Sequence, residues 1–166
     1  IKNRVFNPLG MGNTLSPRAL DDHLNNFGNT IACQHYTKGS SGFKKAMPVD
    51  NFYKLAGGGY LSTSADIAKL GQEVLEQRLL SPTTYKTLLT SQKEHGKHTF
   101  IGLGFHVRLD KRGRSFYGHV GNSVGVYSNL FIYPKEELVV SILINTTDPK
   151  VQHVLATIPQ LMIEAG

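Results

Sequence analysis

Tyr117-Gly118-His119-Val120-Gly121-Asn122-Ser123-Val124-Gly125 runs directly into Val126-Tyr127-Ser128-Asn129-Leu130-Phe131-Ile132-Tyr133-Pro134. In the second half Val126, Ser128, Leu130 and Ile132 alternate with Tyr127, Asn129, Phe131 and Tyr133, the period of two that belongs to a strand. The first half predicts a strand ending on His119, then a glycine-punctuated turn, so that the whole is a hairpin. Glycine lets a backbone turn with positive φ or come close to another group. The residues alone leave two readings of His119. It is either a strand-end histidine satisfied by hydrogen bonds, or it faces a cleft beside a free backbone N–H just after Gly121. His-x-Gly is common by chance, so the motif by itself favours the first.

The same alternation extends outward. Phe105, Val107 and Leu109 alternate with His106, Arg108 and Asp110, which predicts a strand with the polar set on its wet face. Lys111-Arg112-Gly113 is a turn. Leu138 to Ile144 is apolar on both faces, the pattern of a central strand covered on each side. After Pro149 a last helix carries Val151, Val154, Leu155, Ile158, Leu161 and Met162, with Pro159 placed to kink or shorten it.

Toward the front, Ser62 or Thr63 caps a helix with Ile67, Leu70, Val74 and Leu75 as its apolar stripe. Ser81-Pro82 opens a shorter helix with Tyr85, Leu88 and Leu89 inward. Residues 91–99 read as polar loop, and Ala56-Gly57-Gly58-Gly59-Tyr60 as a sharp turn. Ile1 and Val5 share one helical face that Pro8 and Gly10 stop, and Leu9 and Met11 are buried in the turn that follows. Residues 15–50 show no sustained period, broken by Gly28, Gly39, Gly42 and Pro48 and made polar by His23, Asn25, Asn26 and Asn29, and read as one long loop. The expected fold class is α+β, an antiparallel β-sheet flanked by helices. Residues 1–98 would supply helices and loops, 99–147 the antiparallel strands, and 148–166 a C-terminal helix.

Composition excludes several functions. A chain of 166 residues can bury one core. The formal charge of +6 comes from scattered Lys and Arg, with Lys44-Lys45 as the longest kind of run, so no concentrated stripe marks a nucleic-acid partner. Cys33 is the single cysteine, which rules out an internal disulfide and a cysteine-rich zinc site, and a small buried apolar role is its default. His95 and His98 sit in a Lys-rich stretch with only Glu94 as a carboxylate, a solvated loop rather than a metal pair. Gly57-Gly58-Gly59 lacks the Lys-Ser/Thr of a phosphate loop. No metal and no cofactor is therefore expected. No apolar run approaches the ~20 residues of a membrane span. Ile1 opens as though mid-helix, and the chain is expected to be a piece of a longer polypeptide whose front holds any targeting signal.

Several signals in order resemble the serine β-lactamase and penicillin-binding-protein family, in its class C-related branch of carboxypeptidases, D-aminopeptidases and esterases. Pro8-Leu9-Gly10-Met11 with Thr14 resembles that family's turn. Ala56-Gly57-Gly58 through Ser62-Thr63 and Asp66-Ile67 resembles its helix start, and Gly102-Leu103-Gly104-Phe105 its Gly-Leu-Gly-Trp strand. Gly118-His119-Val120-Gly121 is similar to the His-x-Gly form of its third catalytic motif, and Pro134 and Asn145 bracket its last strand. The family's nucleophile motif, Ser-x-x-Lys on a helix, and its Tyr-x-Asn both precede the Pro-Leu-Gly-Met turn. Ser41-Gly42-Phe43-Lys44 and Tyr127-Ser128-Asn129 match them only in letters, in the wrong elements and order.

The resemblance implies a serine hydrolase of an amide or ester (a β-lactam, a D-Ala peptide or an ester) working through an acyl-enzyme. His119 would be the catalytic residue of the third motif, binding a substrate carboxylate or helping with a proton. Gly121 would let substrate approach, the Asn122 N–H would be one of two oxyanion donors, and Ser123 would touch substrate. The partners implied are a small-molecule or peptide substrate and the absent N-terminal portion of the same protein, in a periplasmic or other extracytoplasmic setting. The alternative is a non-catalytic binding or scaffold module with the same fold.

Overall fold

A computed structural model of the chain describes the backbone of residues 1–27 and 32–166 and the side chains of 1–22 and 32–166. Two small antiparallel hairpins, β1 (Tyr36–Gly39) with β2 (Gly42–Lys45) and β3 (Lys93–Glu94) with β4 (Lys97–His98), precede the main sheet. That sheet has four antiparallel strands in sequence order, β5 (His106–Leu109), β6 (Ser115–Ser123), β7 (Val126–Tyr133) and β8 (Leu138–Ile144). Strand β7 lies inside and is its most buried member: Ile132 and Tyr133 are 0% and 1% exposed. Fully burying such side chains contributes about 1.5–3 kcal/mol each.

Helices cover both faces. On one, α2 (Ser64–Glu76) and α3 (Pro82–Leu88) pack Val74, Tyr85 and Leu89 against Leu130 and Ile132. Thr63 caps α2 by accepting from the Asp66 N–H at 3.2 Å, and Ser81 caps α3 by accepting from the Thr84 N–H at 3.2 Å, with Pro82 in the first turn. Gly71 is where α2 comes closest to the sheet: a Cβ there would lie 2.5 Å from Val139 Cγ1. On the other face, α5 (Ile158–Ala165) brings Ile158 and Ile163 to Phe131, Tyr133 and Val140.

Two buried carboxylates tie the helices together. Asp66, 1% exposed, accepts from the Asn13 N–H at 2.8 Å, the Thr14 hydroxyl at 3.1 Å and Lys69 at 2.9 Å. This clasps the Pro8–Thr14 turn onto the start of α2, and Met11 is buried as the sequence implies. Burial pushes the Asp66 pKa up, but the hydrogen bonds from Lys69, Asn13 and Thr14 outweigh it and hold the group below its ordinary value. Glu73, 3% exposed, accepts from the Tyr85 hydroxyl at 2.5 Å and from the N–H groups of Arg78 and Leu79. Burial, then Glu73, pushes the Tyr85 phenol up to about 12.

The structure corrects several expectations. The supposed loop over 15–50 contains α1 (Pro17–Phe27) and the β1–β2 hairpin; Gly28 and Asn29 lie outside the described residues, as do the side chains of His23, Asn25 and Asn26. Residues 91–99 hold the β3–β4 hairpin, turning through His95 and Gly96 at φ 48° and 78°. Strand β6 does not end on His119; it continues to Ser123, because Gly121-Asn122-Ser123 finds partners in Ser128, Tyr127 and Val126. Strand β8 has helices over both faces, as its apolar pattern implies, yet it is the last strand in the sheet rather than a central one. Asp110 follows β5 and is buried in an ion pair with Arg114 at 2.8 Å, and His106 is partly buried, so neither belongs to a wet face. Cys33 is exposed, not buried. The last helix is split into α4 (Gln152–Leu155) and α5, with Pro159 in the first turn of α5 where its missing N–H costs nothing. No helix among the described residues is long and apolar enough to cross a membrane.

Candidate functional site

The site begins with a mismatch in strand length. Strand β5 has 4 residues and β6 has 9, and their pairing stops at His106 opposite Gly118. From His119 to Ser123, β6 is paired only on its β7 side among the described residues. Main-chain groups of successive residues in an antiparallel strand point alternately to the two neighbours. The Asp110 N–H donates to the Arg114 carbonyl at 2.8 Å, so Arg114 and the even-numbered residues beyond it address the β5 side. The two-residue connection between Ser123 and Val126 makes the same assignment from the other end, since the pair closing such a hairpin exchanges both its hydrogen bonds. The N–H groups of Val120 and Asn122 therefore point out of the sheet edge, where no described strand meets them.

His119 is exposed on this bare stretch. Its ring centroid lies 5.1 Å from that of His106, with the planes tilted by 60°. His106 Nδ1 is buried without a hydrogen-bond partner among the described residues. Burial first, then the charges of Arg108 and His119, pull the His106 pKa below its ordinary value. His106 was read from sequence only as a wet-face residue. Its one signal is that β5 must end near the His-x-Gly segment.

The glycines answer first to the sheet. A Cβ at Gly118 would lie 1.9 Å from the Leu130 carbonyl oxygen, and one at Gly121 would lie 2.5 Å from Ser128 Oγ. Asn122 is exposed, and its Oδ1 accepts from the Asp148 N–H at 3.0 Å. The Ser123 carbonyl accepts from the Thr147 hydroxyl at 3.0 Å, and Thr147 Oγ1 accepts from the Gly125 N–H at 2.6 Å. Asn145 Nδ2 donates to the Gln34 carbonyl at 3.0 Å, and the Tyr36 N–H donates to the Asn145 carbonyl at 2.9 Å. Residues 145–148 thus clamp both the β6–β7 turn and the β1–β2 hairpin. A Cβ on Gly125, at φ 77°, would lie 2.5 Å from the Cβ of His35. The polar run Asn145-Thr146-Thr147-Asp148 straight after an apolar strand was the available signal for this clamp.

The structure therefore sets His119, Gly121, Asn122 and Ser123 along one strand, with Asn122 and Ser123 held from behind. Ser41 sits in the hairpin turn and Lys44 on β2, paired with Thr37, so the two are not one helical turn apart. Tyr127 is 5% exposed, and burial, then Asp148, raises its phenol above the ordinary value. The β6 edge is an open shelf. A hollow of about 390 Å³ lies at the far end of β7, lined by Glu136, Leu138, Met162, Ile163 and Gly166, away from these residues.

The chain combines a helix-covered antiparallel sheet, an Asp-clasped Pro-Leu-Gly-Met turn and a His-x-Gly segment on a sheet edge that no described strand pairs. The family model described as Beta-lactamase matches residues 1–160, and the chain belongs to that family. No curated protein matches the chain. Among solved structures, the octameric penicillin-binding protein homologue from Pyrococcus abyssi is similar, with a TM-score of 0.78 and 20% identity, covering 98% of this chain and 36% of that one. The penicillin binding protein from Bacillus halodurans gives 0.69 and 23% identity, over 96% of this chain and 48% of that one. The D-amino acid amidase from Ochrobactrum anthropi SV3, complexed with L-phenylalanine, gives 0.72 and 16% identity, over 99% and 52%. At these identities the likeness concerns the fold. The chain spans between about a third and about half of the length of these structures.

Proposed function

We propose that the chain is the C-terminal portion of a serine hydrolase that opens an amide or ester through an acyl-enzyme, and that the β6 edge is one wall of its cleft. The observation that carries this reading is the outward N–H of Asn122 on a strand edge that no described strand pairs, three residues from an exposed imidazole. A carbonyl oxygen that gains charge under attack needs fixed donors already aimed at it. Asn122 supplies one such donor, and its side-chain bond to Asp148 steadies the backbone that holds it. His119 either clamps a substrate carboxylate as imidazolium or shuttles a proton as the free base. The nucleophile, a Ser one helical turn from a Lys, belongs to residues encoded upstream of Ile1. The substrate classes compatible with this chemistry are β-lactams, D-Ala peptides, D-amino-acid amides and esters.

The test uses the full-length protein, a fluorescent penicillin and p-nitrophenyl acetate, read by intact mass and ester turnover. The expected result is a single adduct on a serine upstream of Ile1. His119→Ala should lower turnover by roughly 10²-fold, the lower end for a positioned acid or base. An adduct at Ser41, or turnover indifferent to His119→Ala, refutes the reading. Stoichiometric binding with no adduct would instead support the non-catalytic module.

A further inference from the structure

We propose that His106 is a positioning residue for His119: a neutral, half-buried ring that backs the exposed imidazole and fixes how it stands beside the free edge of β6. This rests on the role given to His119 above. Three observations converge on it. The first is placement. His106 is the first residue of β5 and pairs with Gly118, the residue before His119. Gly118 has no side chain and has room for none, since a Cβ would strike the Leu130 carbonyl. No side chain therefore stands directly across from His106, and the ring centroids of His106 and His119 lie 5.1 Å apart.

The second is the buried, unpartnered Nδ1 of His106. An imidazolium carries a proton on both nitrogens, so charging this ring would bury an N–H with nothing to accept it. A neutral ring with its proton on Nε2 leaves only a bare acceptor at Nδ1, the cheaper arrangement. The third is charge. Arg108, two residues further along β5, and His119 itself are the groups that act on His106, and both oppose a second positive charge. Burial first, then the charges of Arg108 and His119, thus disfavour an added proton on His106.

An exposed side chain on a strand edge otherwise samples several rotamers. A rigid ring against one face removes part of that freedom, which matters because small misplacements of a reacting group cost rate. The wall needs bulk and neutrality but not the second nitrogen. Phenylalanine should therefore replace His106, and alanine should not.

The test combines kinetics with NMR of ¹³C-histidine-labelled full-length protein, comparing wild type, His106→Phe and His106→Ala. His106→Phe should keep kcat/KM within about threefold, whereas His106→Ala should lower kcat by about tenfold or more with KM little changed. The His119 ring signals should agree between wild type and His106→Phe, and shift toward rotamer-averaged values in His106→Ala. Equal damage from both substitutions would overturn the proposal. So would His119 ring signals in His106→Ala that match those of wild type, because the rings would then not constrain one another. Both spectroscopic outcomes stand whether or not the protein turns over ester. If His119→Ala leaves turnover intact while His106→Ala still moves the His119 signals, it is the catalytic reading that fails and not the contact between the rings.

Discussion

Asn122→Pro isolates a single backbone hydrogen. In most strands proline would break a ladder bond, but the Asn122 N–H faces the side of β6 where no described strand pairs with it, the position at which strands accept proline. Proline also favours an extended conformation in the preceding residue, and Gly121 is already in a strand. The substitution removes two things at once, the outward N–H and the 3.0 Å bond from the Asp148 N–H to Asn122 Oδ1. Asn122→Ala removes only the second. That bond is exposed, and its loss should cost about 0.5–1.5 kcal/mol of stability in either variant. The difference between the variants then belongs to the N–H. If that group stabilises a developing oxyanion, Asn122→Pro should lose a further 10²–10³ in kcat, roughly 2.7–4 kcal/mol of barrier. The assay is ester turnover by the full-length protein, with thermal melts confirming that both variants are folded. Equal kcat for the proline and alanine variants would refute the assignment of that amide.

Acid should destabilise the fold in a definite window. Asp66, Glu73 and Asp110 all have folded pKa values below their unfolded ones. The unfolded chain therefore binds more protons as pH falls; the stabilisation is complete above about pH 4 and is lost below it. Urea midpoints measured from neutral pH down to about pH 3 should fall steeply, and Asp66→Asn should flatten the slope. Thr147→Val keeps the shape of the side chain but leaves the Gly125 N–H without its partner and takes one of two donors from the Ser123 carbonyl, for about 2 kcal/mol. Hydrogen exchange at Gly125 should quicken in that variant by more than exchange in β7.

Local chemistry was legible wherever a local rule decided the outcome. Alternation found β5 and β7, an unbroken apolar run found β8, Ser81-Pro82 gave the start of α3, Ser62 or Thr63 marked the start of α2, and Pro159 broke the last helix. The same rule was present and unread at Ser16-Pro17: Ser16 Oγ accepts from the Ala19 N–H at 3.2 Å and opens α1. What the sequence hid was decided by partners far away. Gly121-Asn122-Ser123 has turn chemistry, and only pairing with β7 makes it strand. The β1–β2 hairpin is short and polar, and its anchors are Asn145 and Thr147, a hundred residues on. Of the candidate site, His119, Gly121, Asn122 and Ser123 were named in advance. His106 was not, because only the register of β5 on β6 shows that it reaches them.

The clamp formed by residues 145–148 has a consequence for biosynthesis. Asn145 reaches back 111 positions to Gln34, and Thr147 reaches back 24 to Ser123. A ribosome releasing this polypeptide from its front end delivers His119 and Asn122 well before the residues that brace them. Helices α2 and α3 can form from neighbours in sequence, whereas the shelf waits for the tail and bears the loop-closure entropy last. A stop codon placed just before Asn145 should therefore yield a product with ordinary helical content and an unbraced β6–β7 turn.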